Sequence, residues 1–134
     1  MCKFDSILDE TLEAWEDVRY GLIDELRNVP ANRFDWRPVH DVRSTKELVV
    51  HILEVAMMMT EELVSRDAGF HRVSFPTLIK KHGARARALR TRGDAIRLLR
   101  SQLKDADQKF RTAGEIHMLQ LIKRFDGVEG TRLT

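Results

Sequence analysis

The chain has little with which to build covalent cross-links or membrane structure. Cys2 is the only cysteine among 134 residues, which excludes an intrachain disulfide, and its place near the terminus reads as an inert, solvent-facing thiol. No run of about 18 apolar residues exists to span a bilayer, and the opening MCKFDSILDE is too acidic and too weakly apolar for a signal peptide. The expectation is a cytoplasmic protein with no membrane partner. G-x-x-x-x-G-K-[ST], G-x-G-x-x-G and G-x-S-x-G are all absent, so neither a phosphate-cradling loop nor a serine elbow is available. Internal repeats and low-complexity stretches are missing too. A chain of this length forms one ordinary domain, 1–134, burying roughly two-thirds of its unfolded surface.

What is present is charge, unevenly placed. The net charge of +2 conceals a division: residues 1–70 carry 8 Lys/Arg against 15 Asp/Glu, and residues 71–134 carry 15 against 6. The halves attract, which favours packing early helices beside late ones in one copy, and unlike halves together in a dimer.

Hydrophobic periodicity then lays out the helices. From Asp5 to Asn28, Ile7, Leu8, Leu12, Trp15, Val18, Leu22, Ile23 and Leu26 recur at three- or four-residue spacing among acids, predicting a long amphipathic helix stopped by Asn28, Val29 and Pro30. The pattern lapses over 31–43, although Phe34, Trp36 and Val39 are too apolar for a floating loop, which should therefore lie across the bundle. Ser44 with Glu47 forms an S-x-x-E capping box opening a second helix that runs to about Arg66. Met57, Met58 and Met59 in it read as core filling. The segment 67–77 reads as a loop anchored by Phe70 and Phe75, with His71 exposed. A third long helix is predicted from Gly93 or Asp94 to Thr112, ended by Gly114. Beyond it lie a short helix or extended apolar segment and a turn at 126–130.

Two features bear on chemistry. His51 lies one turn from Leu48 and Val55, which directs it toward the bundle interior or its edge, with Glu54 one turn beyond. A core histidine bonded to a neighbour and a metal ligand both satisfy that placement. The run from Lys80 to Arg100 is densely basic, with Asp94 as its single acid. It lacks interleaved aromatics, a helix-turn-helix signature and a zinc knuckle, so a solvated face or partner contact is expected before nucleic acid.

The order of these elements resembles a known family. An acidic first helix, then FDWRPVHDVRS, then a helix opening toward HILE, is similar to the DinB/YfiT-like superfamily, and Trp36, Pro38, Ser44, His51 and Glu54 fit its loop, cap and helix-two histidine pattern in order. The later RFDGVEGTRLT is similar to that family's turn into its fourth helix. The resemblance implies an all-α, up-down helical bundle whose fourth helix is here missing or shortened. It also implies a divalent metal, zinc or nickel, held by three histidines and activating a thiol cofactor for transfer to a small electrophile. In that reading His51 is the metal ligand, Glu54 its supporting partner, and Trp36 lines the pocket mouth or packs the loop. The family's helix-four histidine pair does not carry over, because the later histidines are His71, His82 and His117, and Leu121 stands four residues after His117. A zinc centre needs three or four ligands. The competing expectation is a non-catalytic helical binding module, a homodimer in which a second copy covers the apolar faces left open.

Overall fold

A computed structural model describes residues 6–134; the expectations for Cys2 and for a first helix beginning at Asp5 lie outside the described residues. Helix α1 spans Ile7–Asn28, and its entry is set by Ser6, whose Oγ accepts the Asp9 N–H at 3.1 Å. A single 3-10 turn, Ala31–Arg33, follows. Helix α2, Thr45–Val64, begins as expected at Ser44, whose Oγ accepts the Glu47 N–H at 3.2 Å. The Glu47 carboxylate does not complete the box: it pairs with Arg37 across the preceding loop.

Phe75 starts a helix rather than continuing a loop. Helix α3 covers Phe75–His82 because Ser74 caps it and Pro76 sits in its first turn, where a missing N–H costs nothing. Four-residue α4, Ala84–Arg87, continues the return, and α5, Arg92–Ala113, opens on a reciprocal Thr91–Asp94 capping box. Gly114 ends α5 at φ 86°, a left-handed conformation suited to glycine. The last segment takes both forms offered by its sequence: α6, Glu115–Met118, then an antiparallel hairpin of β1, Leu121–Lys123, and β2, Glu129–Thr131.

Charged contacts give the helix directions. Arg111 of α5 meets Asp9 near the start of α1, while Arg92 at the other end of α5 donates to Val29 O at 2.6 Å, so α1 and α5 run antiparallel. Gln102 reaches Thr60 and Lys109 reaches Glu61, so α2 and α5 run parallel. The long helices thus go up, down and down, with α3 and α4 making the return on the far side of α2. Ion pairs Arg111–Asp9, Lys109–Glu61, Arg87–Glu54 and His82–Glu62 all join the acidic half to the basic half, the pairing anticipated from the charge division.

One core fills the bundle in two clusters. At the end nearer the hairpin, Leu12, Met58, Leu63, Leu78, Phe110 and Met118 pack together. At the other, Ile23, Leu26, Phe34, Leu53, Leu89 and Leu99 do so. Met57 and Met58 are buried as core filling. Phe125 of the hairpin meets Phe70 in a tilted contact and Phe75 edge to face, at centroid distances of 5.0 and 5.1 Å, which fastens the hairpin to the start of α3 and the segment before it.

Arginines close the helix ends. The last carbonyls of a helix have no intrahelical donor and attract positive charge. Arg92 donates to Arg27 O and Val29 O after α1, and Arg87 donates to Ile79 O and Lys80 O at the end of α3. Arg132, 5% exposed, donates to the carbonyls of Leu63, Ser65 and Arg66 at the end of α2. Burial pushes the Arg132 guanidinium below its ordinary value, with Asp67 acting against that shift.

Replacing Arg132 with Leu is expected to cost about 2–3 kcal/mol, because three carbonyls lose their donor; urea unfolding followed by circular dichroism measures it. Gly83→Ala is expected to cost about 1–3 kcal/mol in the same assay. A Cβ there would lie 2.8 Å from Ile79 O and 2.9 Å from Glu54 Cγ.

Candidate functional site

His51 does not face the interior. Val49 and Leu53, its neighbours two residues away on either side, are 2% and 0% exposed, and two residues turn a helix by about 200°. His51 therefore projects to the solvent side of α2, where it is exposed. Leu48, one of the residues taken to mark the inner face, is itself 48% exposed. His51 borders an open polar cleft with Asp35, Arg37, Lys46 and Glu54. The acids there are turned to cations: Glu54 to Arg87 at 3.4 Å, Asp35 to Lys46 at 3.9 Å and Glu47 to Arg37. Among the described residues no group of three or more His, Cys, Asp or Glu is arranged to hold a metal ion, and one exposed imidazole does not fit a zinc or nickel centre.

Trp36 is not packed into the core. It is 52% exposed, and the Arg33 guanidinium stacks over it at 5.0 Å. Only Phe34 anchors this connection, at 2% exposure, while Val39 remains exposed. Of the remaining histidines, exposed His40 lies 2.9 Å from the Asp41 carboxylate. His82 Nε2 lies 3.0 Å from the Glu62 carboxylate, His117 Nε2 lies 3.0 Å from Leu63 O, and His71 is exposed.

The basic run is divided among different tasks. Arg87 and Arg92 are spent on helix-end carbonyls, and Arg97 pairs with Asp94 at 2.6 Å. Lys80, Arg85, Arg90 and Arg100 remain on the solvated surface.

A mostly apolar concavity lies elsewhere, between α1 and α2. Both helices lean on α5, and where they diverge they leave a groove of about 280 Å³. Leu12 and Trp15 of α1 form one wall, Val55 and Met59 of α2 the other, and Phe110 of α5 the floor. Trp15 meets Phe110 edge to face at 6.2 Å. Met118 and Leu133 stand at the end where α1 begins and α2 finishes. Arg19 lines the groove farther up, its guanidinium 5.4 Å from the centre of the Trp15 ring. Burial alone lowers the Arg19 pKa, and Arg19 has no ion pair among the described residues.

No protein-family model, curated protein or solved structure matches this chain. The groove escaped sequence reasoning because Leu12, Trp15 and Met59 carry the spacing of ordinary core residues. The unmatched Arg19 inside an otherwise apolar stripe is the signal that could have found it.

Glu62 supplies the pH dependence. Burial raises its carboxyl pKa, but the bonds from His82 and from the Gly69 N–H, at 3.0 and 3.2 Å, outweigh that and hold it below its ordinary 4.5. A carboxyl depressed in the folded state adds stability that is complete above its unfolded value and lost as pH falls through the folded one. The urea midpoint is therefore expected to fall as pH drops below 4.5, and Glu62→Gln should start lower at neutral pH and fall less steeply.

Proposed function

We propose that this chain is a DinB-like bundle that works as a non-catalytic helical binding module, with the groove between α1 and α2 as its site. One observation carries the reading: the groove is apolar, closed at one end and open along its length, with Trp15, Val55, Met59 and Phe110 presented to whatever enters. Apolar pockets with few polar groups are the common form of small-molecule sites. The metal-dependent thiol chemistry of the resemblance is not part of this reading, since His51 and Glu54 line a separate polar cleft and no third ligand is grouped with them among the described residues.

Self-association is a second property, favoured by a different observation. Val18, Ile116 and Leu121 are 70%, 85% and 68% exposed, and apolar area left to water is the usual material of subunit contacts. The acidic α1 and basic α5 add complementary charge to such a contact.

A neutral naphthylamine dye that brightens in apolar surroundings is expected to bind the wild-type chain, and Met59→Glu should weaken it at least tenfold with the helical circular dichroism unchanged. Wild-type protein that ignores the dye overturns the groove as a site. Light scattering is expected to give the mass of a dimer; a stable monomer across micromolar concentrations rejects self-association.

A further inference from the structure

We infer that the groove between α1 and α2 binds a linear medium-chain alkyl carboxylate, its tail directed toward Leu63 and Met118 and its carboxylate held by Arg19. This rests on the groove being a binding site and adds the class of its ligand.

Arg19 is the carrying observation. A guanidinium partly removed from water normally has a carboxylate or a row of carbonyls opposite it. The other groove arginine does: both terminal nitrogens of Arg132 donate to carbonyls, although its buried Nε has no partner. Among the described residues Arg19 has the face of Trp15 and no carboxylate or carbonyl partner. Stacking uses the flat face of the guanidinium and leaves the N–H donors in its plane unspent, in the fork geometry that matches a carboxylate. Desolvation lowers the Arg19 pKa with no anion to offset it, so an arriving carboxylate meets a cation whose hydration has already been reduced.

Length and polarity define the rest of the ligand. The antiparallel α1 and α2 place Thr11 beside Leu63 at the closed end and Arg19 beside Val55 at the other. From Thr11 to Arg19 the helix advances about 12 Å, the reach of an extended chain of roughly ten carbons. The walls along that path offer mostly methyl, thioether and ring carbons, with the hydroxyls of Thr11 and Thr60 and the carbonyl-bound guanidinium of Arg132 as the exceptions. The Thr60 hydroxyl is already committed to Ala56 O at 2.7 Å. A single anionic head on an unbranched apolar tail satisfies all of this, whereas a zwitterion or polyol would strand polar groups against Leu12 and Met59.

Calorimetry on the full chain, with Trp15 fluorescence as a second readout, compares decanoate, hexanoate and decanol. Decanoate is expected to bind at least tenfold tighter than decanol and about a hundredfold tighter than hexanoate, from the area that four methylenes bury. Arg19→Leu should erase the preference for decanoate while leaving decanol binding in place, and Arg19→Lys should keep part of it. Equal binding of decanoate and decanol by wild type, or a preference that survives Arg19→Leu, overturns the carboxylate and leaves the groove standing. If neither compound binds and the neutral dye does not either, the groove reading falls with it. A dimer that Met59→Glu converts to monomer, and that no alkyl compound displaces, assigns the groove to a second copy and overturns the proposal.

Discussion

The end of α2 is the point on which the surrounding structure depends. Its final carbonyls would face the interior without donors, and the chain answers with Arg132 from the far side of a hairpin and His117 from α6. Satisfying a helix end with a buried guanidinium is demanding, because the charge must be desolvated and its donors met. Here three carbonyls accept it and Asp67 lies close enough to favour its charge. The result is that a segment with little secondary structure of its own is held against α2. Phe125 then locks onto Phe70 and Phe75, and Met118 enters the core.

The same chemistry recurs through the basic half of the chain. Arg92 closes α1, Arg87 closes α3, and Arg132 closes α2, so two arginines of the run that resembles a phosphate-binding stretch in the sequence act as caps. This use of charge is compatible with the acidic first half. Carboxylates crowd the early helices and arginine donors gather where helices end, so the halves meet through Asp9, Glu54, Glu61 and Glu62 rather than through surface attraction alone. Glu62 is the most buried of these acids and ties α2 to α3 and to the Gly69 backbone, so its protonation at low pH removes contacts that join three parts of the chain.

Against that background the groove between α1 and α2 stands out as a surface the bundle leaves unfilled. Its floor is α5 and its closed end is built by the same C-terminal segment that caps α2, so the cap and the shape of the site are one piece of construction. Arg19 differs from the capping arginines in having no carbonyl or carboxylate opposite it, and that difference motivates a ligand with an acid group.

Much of this was legible in the residues themselves. The three long helices, the Ser44 cap, the stop at Gly114 and the methionine core follow from hydrophobic spacing, capping residues and breakers, which act within a few positions of the chain. Charge division likewise anticipated which halves would touch. The orientation of His51 was not legible, because Leu48 and Val55 looked like core residues, and only packing decides that Val49 and Leu53 point inward while Leu48 stays in water. The exposure of Trp36 was not legible for the same reason, since an aromatic in a connection is buried only if a neighbouring helix lies beneath it. The groove, the arginine caps and the isolation of Arg19 join residues scores of positions apart. Local periodicity determines that helices form and which residues start and stop them, whereas the distance between two helices resting on a third is set by tertiary packing, and that distance creates the site.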